Sequence, residues 1–247
     1  MSPIRLFSPI PLHAGQKSTL DAVQSRYLVR ALRLRAGDSF TMFDGRGGEF
    51  PATIISADRT SVAVETGEKI DRDIESPLIL QLIQGISKGD RMDAVVQKAT
   101  ELGANLIVPV TTDYSVVKLI DERARNRREH WQKIAQSACE QCGRNTVPTI
   151  DAPLSLTNWF GIAAKSNATQ VILRPEAQTA MTTLENVGNR ITIVVGPEGG
   201  FSPAEIARAD AAGLQSVSLG PRILRTETAA LAAVSVAQAC WGDARSI

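Results

Sequence analysis

Two loops rich in glycine and proline near the carboxyl end are the first candidates for chemistry. Gly196-Pro197-Glu198-Gly199-Gly200 follows Ile191 to Val195, an apolar run typical of a buried strand. A second loop, Leu219 to Thr228, follows another strand candidate, Leu214 to Leu219. In an open α/β sheet, ligands bind at loops that follow the carboxyl ends of strands. Because glycine lets the backbone approach a ligand closely, both loops are predicted to line a ligand site.

Each loop leads into a predicted helix. Ser202 is an expected N-cap, with Pro203 at the first helical position and Glu205 completing a capping box. Gly213 is expected to end that helix. Thr226 is the predicted cap of a final, alanine-rich helix. The order strand, loop, helix therefore occurs twice in this stretch.

The composition favours a globular α/β protein. The chain has 247 residues, of which 43% are hydrophobic and 4% aromatic, and this suits one large or two modest domains. No apolar run is long enough for a membrane helix and the N-terminus has no signal-peptide core, so a cytoplasmic protein is expected. Cys139 and Cys142 form a CxxC in a helical pattern, where small buried or half-buried side chains are favoured over zinc or redox use. His13 and His130 suggest no metal cluster, so no metal is expected.

Basic residues are unevenly distributed despite a net charge of +1. Residues 1 to 37 contain one acid, Asp21, and these basic residues: Arg5, Lys17, Arg26, Arg30, Arg33 and Arg35. A second basic group, partly offset by acids, lies between Lys118 and Lys133. Local basic patches bind phosphates, but solvated helix faces explain the same pattern equally well.

A charged stretch that ends at Pro77 divides the chain into two predicted domains, 1–72 and 73–247. In the first domain, Asp21 to Leu34 has the spacing of an amphipathic helix, with an inner side made of Val23, Tyr27, Leu28 and Leu32. Strand candidates follow at Ser39 to Phe43, Glu49 to Ala57 and Ser61 to Glu65, the first two joined by a glycine-rich hairpin turn. Short strands with tight turns predict a small β-barrel.

Strand and helix candidates alternate in the second domain, at Leu78 to Ile83, Lys88 to Gly103, Leu106 to Val110, Asp121 to about Gly143, and Gln170 to Leu173. This alternation predicts a mainly parallel sheet covered by helices on both faces.

Four motifs in this order carry a family resemblance. They are Ser87 to Met92 leading to Gln97 to Gly103, Trp131 to Ala135 with Glu140 to Arg144, Gly196 to Gly200, and Leu219 to Ala229. Together they resemble the RsmE-type 16S rRNA uracil-N3 methyltransferases of the SPOUT class, and the resemblance covers essentially the whole chain. It implies a PUA-like front domain that helps to hold rRNA, and a back domain whose C-terminus is threaded into a trefoil knot. It also implies an S-adenosylmethionine cofactor, a 16S rRNA substrate within the small ribosomal subunit, and a homodimer.

The resemblance also assigns the cofactor site to three loops. The cofactor-binding residues it implies are Leu173, Arg174, Pro175, Gly196, Pro197, Glu198, Gly199, Gly200, Leu219, Gly220, Ile223, Leu224 and Thr228. The alternative is that these glycines and prolines only form turns.

Arg225 and Glu227 are the predicted catalytic residues. Arginine stays protonated, so Arg225 is expected to stabilise a uracil anion or to bind a phosphate. Glu227, if desolvated, is a candidate to accept the N3 proton. An ion pair between Glu227 and Arg225, or deprotonation by solvent, is the alternative.

Substrate contacts are predicted for Lys88, Arg91, Arg144 and Asn145, which two of the motifs place beside helix ends, and for Arg5, Arg30 and Arg33 of the basic front domain. Exposed helix residues and turn chemistry are the alternatives. Because a fold does not determine a function, another target atom (ribose 2′-O or a guanine nitrogen) or a non-catalytic RNA-binding assembly factor also stays open.

Overall fold

The computed structural model describes residues 4–58, 60–115 and 121–245, and Lys118 of the predicted basic group lies outside them. The chain divides into two compact units. The first comprises Met1–Glu75 with Cys139–Val147, and the second comprises Ser76–Ala138 with Pro148–Ile247.

The first unit is built on a five-stranded sheet. Its strands are β1 (Arg5–Phe7), β2 (Lys17–Thr19), β3 (Ser39–Phe43), β4 (Phe50–Ala57) and β5 (Val62–Thr66). Their order is β1-β3-β4-β5-β2, with β1 and β3 parallel and the other pairs antiparallel. The predicted β-rich front region is confirmed, whereas its closure into a barrel stays a prediction.

The predicted amphipathic helix of the first unit is shorter than expected. Helix α1 (Ala22–Arg26) begins after Asp21, whose side chain accepts bonds from two backbone N–H groups, and a π-helical turn follows at Tyr27–Ala31. Leu28 is buried as predicted, but Val23 and Tyr27 are 68% and 47% exposed. Val23 precedes the π-helical turn, and at 3.6 residues per turn a residue five positions before Leu28 already lies about 140° away from it, so the predicted common face was wrong at Val23 and Tyr27.

The second unit contains a parallel sheet. Its strands are β6 (Ile79–Gly85), β7 (Leu106–Thr111), β8 (Thr149–Ile150), β9 (Leu154–Ser155), β10 (Thr169–Leu173), β11 (Arg190–Val195) and β12 (Gln215–Val217). Their order is β12-β10-β11-β6-β7-β8, β9 also pairs with β7, and every one of these pairings is parallel. The predicted α/β fold with a mainly parallel sheet is therefore confirmed, and the trefoil knot stays a prediction.

The described residues of the second unit form five α-helices, and four of these helices pack as two pairs. They are α2 (Arg91–Glu101), α3 (Asp121–Cys142, of which the part from Cys139 belongs to the first unit), α4 (Leu156–Ala163), α5 (Pro203–Ala211) and α6 (Thr226–Trp241). Helices α4 and α5 share an apolar core with sheet residues that include Ile83 and Val194. Helix α6 packs on α2 and on strands β6 and β11. No helix among the described residues combines the length and apolar character needed to cross a membrane.

Two predicted helix caps had opposite outcomes. Ser202 caps α5 as predicted, since its Oγ accepts from the Glu205 backbone N–H and the Glu205 carboxylate accepts from the Ser202 N–H. Thr226 does not cap α6, which begins after Arg225 and has no side-chain cap. Its hydroxyl instead donates to the Gly196 carbonyl, because burial beside that loop offers a stronger partner than the helix end.

Candidate active site

Three loops meet at one edge of the parallel sheet of the second unit. They follow β10, β11 and β12, which are neighbours in the sheet and run in the same direction, so their carboxyl ends lie side by side. The β10 loop begins at Arg174, the β11 loop is Gly196 to Phe201, and the β12 loop runs from Ser218 to Arg225, where α6 begins. This is the position at which open α/β sheets bind ligands.

The three loops enclose a cavity of about 600 Å³. It is lined by these predicted cofactor residues: Leu173, Arg174, Pro175, Gly196, Pro197, Glu198, Gly199, Gly200, Leu219, Gly220, Ile223 and Leu224. The predicted catalytic residues Arg225 and Glu227 line the same cavity. Thr228 is not among the lining residues, and its side chain is exposed. The structure thus brings together residues that lie up to about fifty positions apart in the chain, as parallel strand ends require.

One arginine connects the loop after β11 with the start of α6. Arg91, on α2, forms an ion pair with Glu198, and its Nε lies 3.9 Å from Glu227 Oε1. Partial burial alone would raise the pKa of Glu198, but hydrogen bonds from its own backbone N–H, the Arg91 guanidinium and the Lys88 N–H outweigh burial and lower that pKa. Glu198 is therefore an anion at neutral pH that holds Arg91 in place.

The two predicted catalytic side chains differ in their surroundings. Arg225 is exposed at the cavity, whereas the side chain of Glu227 is 24% exposed. Glu227 Oε2 is buried and has no hydrogen-bond partner among the described residues. The carboxylate lies beside Arg91, and no ion pair between Glu227 and Arg225 is found in the described part of the chain.

A second cavity adjoins the first. Its volume is about 510 Å³, and it is lined by Lys88, Gly89, Asp90, Arg91, Ala94 and Glu227. Arg91 and Glu227 line both cavities. Two of the predicted substrate residues, Lys88 and Arg91, therefore lie where a second molecule can reach the first cavity.

The remaining predicted substrate residues lie in the first unit. Arg30 and Arg33 are exposed, and Arg33 has a left-handed backbone conformation with φ 58°. Arg5, Arg144 and Asn145 are instead buried. A contact between any of these residues and substrate stays a prediction.

The buried residues of that group hold the first unit together. Arg5 forms an ion pair with Glu49, donates to Asn145 Oδ1 at 2.6 Å, and lies 4.8 Å from the centre of the Phe43 ring. Arg144 donates from Nε and Nη2 to Glu75 Oε2, at 2.9 and 2.6 Å. Two buried, paired guanidinium groups are typical of structural ion pairs, and reaching an RNA phosphate would break these contacts.

The cysteines are also accounted for within the first unit. Cys139 is buried, Cys142 is half-buried, and no disulfide joins them. A hydrogen bond from the Cys139 thiol to Cys142, together with burial, raises the pKa of Cys139, so it stays protonated at neutral pH. No group of three or more possible metal ligands is found in the described residues.

The family models for two domains match this chain. The model described as an RNA methyltransferase domain matches residues 74–238, and the model described as an RNA methyltransferase PUA domain matches residues 20–66. The ribosomal RNA small subunit methyltransferase E of Buchnera aphidicola (from Schizaphis graminum) is 32% identical over 239 residues, covering 97% of each chain. The protein of the same name from Bacillus subtilis is 34% identical, covering 85% of this chain and 84% of the relative. The chain belongs to the ribosomal RNA small subunit methyltransferase E family.

Solved structures of similar proteins contain a cofactor. A Legionella pneumophila protein described as a methyltransferase in complex with S-adenosylmethionine has a TM-score of 0.93 and 36% identity, covering 98% of this chain and 100% of that one. A ribosomal RNA small subunit methyltransferase E from Neisseria gonorrhoeae, bound to S-adenosylmethionine, has a TM-score of 0.89 and 38% identity, covering 98% of each chain. The family and the fold of this chain are therefore established together.

The three-loop cavity fits such a cofactor. Its volume lies within the roughly 300–1,000 Å³ that is usual for small-molecule sites. Leu173, Leu219 and Leu224 offer apolar surface to a nucleoside, while Glu198 and Glu227 offer negative charge to a sulfonium or ammonium group. A Cβ added at Gly200 or Gly220 would meet no other atom within 4 Å, so there is room beside both loops.

Several lining residues were not predicted from the sequence. They are Glu176, Val195, Phe201, Ile206, Val217, Arg222, Thr226 and Ala229. Most lie next to a predicted residue, so extending each motif by one or two positions would have found them. Thr226 was assigned to capping, and only the packed structure places its hydroxyl against the Gly196 carbonyl.

Proposed function

We propose that this protein transfers a methyl group from S-adenosylmethionine to N3 of a uridine in 16S rRNA. The observation that supports this most strongly is the pair of adjoining cavities that share Arg91 and Glu227. Transfer between two bound molecules requires two such sites that meet at the reacting atoms. The family membership and the cofactor-bound relatives support the choice of cofactor and of rRNA as the substrate class.

The cofactor, when bound, supplies an electrophilic methyl group. The protein contributes the remaining requirements, which are alignment, removal of the N3 proton and stabilisation of the resulting anion. Glu227 accepts the proton through its carboxylate, which lines both cavities and lies beside Arg91. The alternative is release of that proton directly to solvent. Replacing Glu227 with glutamine should change the methylation rate differently in the two cases.

Arg225 stabilises the uracil anion in this proposal. Its guanidinium is exposed at the cavity, so it is available to a carbonyl oxygen of the base. A permanently charged, planar donor suits negative charge that spreads from N3 to the flanking carbonyl oxygens. Arg91 is less available, because Glu198 binds it.

The second cavity receives the nucleotide. Lys88 is exposed there and provides a cation for a backbone phosphate, while Arg91 and Glu227 form the wall shared with the cofactor cavity. In the first unit, Arg30 and Arg33 are proposed as further rRNA contacts, because exposed arginines beside the half-exposed Tyr27 suit phosphates and bases.

The proposed assembly is a cytoplasmic homodimer. Helix α6 buries one side in the second unit but leaves Thr228, Ser235 and Ala239 exposed beside half-buried small residues. Ile223, at the edge of the cavity, is 87% exposed. A second copy of the chain is the proposed cover for this surface, and sedimentation analysis of the full-length protein tests it.

The decisive experiment uses small ribosomal subunits from cells that lack this methyltransferase. The protein and S-adenosylmethionine are added, the rRNA is digested, and the nucleosides are separated by mass and retention time. The expected product is 3-methyluridine. A ribose-methylated nucleoside or a methylated guanine instead would keep the enzyme and overturn the target atom.

A parallel binding measurement separates catalysis from assembly. Calorimetry is expected to detect S-adenosylmethionine binding, alone or with RNA present. If the protein neither binds the cofactor nor forms product with active subunits, the result would support a non-catalytic assembly factor. Naked 16S rRNA is included to determine whether the folded subunit is needed.

A further inference from the structure

We infer that Gln84 and Thr226 form a positioning relay that fixes the loop containing Gly196 against the first turn of α6. This inference rests on the proposed methyl transfer, because it concerns the alignment of the two sides of that site. The Gly196 loop belongs to the cofactor cavity, while Arg225 and Glu227 flank Thr226. The relay thus connects the element that is proposed to hold the cofactor with the element that is proposed to act on the base.

The relay consists of three hydrogen bonds, of which the two from Gln84 are buried and the one from Thr226 to Gly196 is partly buried. Gln84 Nε2 donates to Thr226 Oγ1 at 2.9 Å and to the Gly85 carbonyl at 2.9 Å. Thr226 Oγ1 donates to the Gly196 carbonyl at 2.6 Å. Gln84 is 0% exposed and Thr226 is 5% exposed. Buried hydrogen bonds of this kind do not exchange with water, so they hold three segments of chain at fixed separations.

The direction of every bond in the relay is determined. A carbonyl oxygen can only accept, so the single hydroxyl proton of Thr226 lies on its bond to Gly196. The Thr226 oxygen must then accept from the Gln84 amide. Rotating that amide by half a turn would set its oxygen against the Gly85 carbonyl and the already committed hydroxyl, and both contacts would be repulsive.

This orientation leaves Gln84 Oε1 buried without a hydrogen-bond partner among the described residues. An unsatisfied buried amide oxygen destabilises a fold, and an apolar side chain at this position would avoid that penalty. Local costs of this kind occur where a function requires the group. The function consistent with the contacts is to orient the Thr226 hydroxyl.

Close packing beside the relay points to the same role. Gly85 follows Gln84, and a Cβ added to it would lie 2.4 Å from the backbone nitrogen of Pro197. The end of β6 therefore already touches the loop after β11 without any intervening side chain. With the relay in place, α6 is held at the same point, and a small displacement of either element would change the alignment of the reacting atoms.

The test compares Thr226→Val, Thr226→Ser and Gln84→Met in the full-length protein. Thr226→Val keeps the shape but removes the hydroxyl, and we expect kcat to fall about tenfold or more while the dissociation constant of S-adenosylmethionine changes less than about threefold. Gln84→Met removes both Gln84 bonds but leaves the bond from Thr226 to Gly196, so a fall in kcat of about three- to fivefold is expected. Thr226→Ser retains the hydroxyl and should stay within about twofold of the wild-type value.

Thr192→Val is the matched control. Thr192 and Gln81 are the same two residue types. Gln81 lies on β6, three positions before Gln84, and Thr192 lies opposite it on β11, with Thr192 Oγ1 3.5 Å from Gln81 Oε1. Thr192 is 1% exposed, so it is as buried as Thr226, but it lies within β11 and away from the loops. The kcat of this variant should equal that of the wild type, and melting curves should confirm that all variants are folded.

Hydrogen exchange adds a measurement that does not depend on activity. Amides of Gly196, of residues 198–200 and of the first turn of α6 should exchange faster in Thr226→Val and Gln84→Met, but not in Thr192→Val. The double variant of Gln84 and Thr226 should lose no more activity than Thr226→Val alone, since both changes break one relay. Should Thr226→Val prove unfolded, Gln84→Met and Thr226→Ser decide the question by the same two measurements.

The outcomes separate the relay from the proposed function. If the wild-type protein makes no 3-methyluridine, the proposed function is wrong. Faster amide hydrogen exchange in the two relay variants would still support the relay. A fully active wild type with unchanged kcat and exchange in both relay variants overturns the relay alone. Equal losses in Thr226→Ser and Thr226→Val, or in Thr192→Val, would also overturn it.

Discussion

The two units use arginine in opposite ways. In the first unit the side chains of Arg5 and Arg144 are each 4% exposed, and both are bound to carboxylates. In the second unit Arg91 is 37% exposed and paired with Glu198, whereas Arg225 is exposed at the cavity and has no ion pair among the described residues. Both arginine groups lie in motifs or basic stretches that predicted substrate contacts. Burial and pairing therefore distinguish an arginine that holds a fold from one that is available to a ligand.

The carboxylates show the same contrast. Burial alone would raise the pKa of Glu49, but a hydrogen bond from Arg5 and the charges of Arg5 and Arg72 more than offset this and lower that pKa. Glu227 has one oxygen that is buried and lacks a partner among the described residues. The first arrangement stabilises the folded unit, whereas the second lies at the proposed ligand site.

The largest expected effect comes from breaking the ion pair between Arg5 and Glu49 in the first unit. Glu49→Gln leaves the buried Arg5 charge uncompensated, so the free energy of unfolding at pH 7 should fall by about 3–5 kcal/mol. Urea unfolding measures this. Glu65→Gln is the control, because Glu65 is exposed and lies 4.0 Å from Lys17; it should cost less than about 1 kcal/mol.

The same pair of proteins gives a pH test. The folded-state pKa of Glu49 lies below its ordinary value of 4.5. Its stabilisation is therefore present above about pH 4.5, and it is lost as the pH falls through the folded-state pKa. The difference in stability between wild type and Glu49→Gln should shrink over that acidic range. A constant difference would contradict the assigned role of the Glu49 charge.

Replacing the exposed Arg225 should do the reverse, because it should lower activity and leave stability unchanged. Arg225→Ala is expected to reduce the methylation rate by about 10²–10³-fold, since one donor to the developing anion is lost. Its melting temperature should stay that of the wild type, because the side chain is exposed. Arg190→Ala, at the other end of β11, is the matched control. Wild-type turnover by Arg225→Ala would remove the catalytic assignment.

A smaller effect is expected from the packing behind the site. Ala233 is fully buried on α6, so Ala233→Leu should overpack and lower the free energy of unfolding by about 1–3 kcal/mol. Ala239→Leu, on the exposed side of the same helix, should leave the folding stability nearly unchanged. Sedimentation of both variants sharpens the comparison, since Ala239→Leu should disturb the proposed dimer more than the fold.

The smallest effect concerns the exposed arginines of the first unit. Arg30→Ala, and Arg33→Asn in view of its left-handed backbone, should each weaken RNA binding and reduce the slope of log affinity against log salt by about 1. Filter binding at several salt concentrations measures this, with Arg190→Ala as control. Unchanged slopes would show that these arginines contact no phosphate.

Particular residues show how far sequence reasoning reached. The capping box at Ser202 and the strands on either side of it were predicted, because they depend on neighbours in the chain. Val23 and Tyr27 were misplaced because they were assigned to the same face as Leu28, whereas helical geometry puts Val23 on nearly the opposite side. Thr226 was misassigned because its partners Gln84 and Gly196 are 142 and 30 residues away.

The sequence by itself determined the glycine-proline loops, the family and most of the strands and helices, but not β1, β2, β8, β9 or α4. The features that were predicted correctly depend on local composition and on short motifs. Only the tertiary structure decided which arginines are buried, which carboxylate lacks a partner and how Gln84 reaches Thr226. Burial and pairing depend on residues far apart in the chain, and a pattern of neighbouring residues carries no record of what lies across a core.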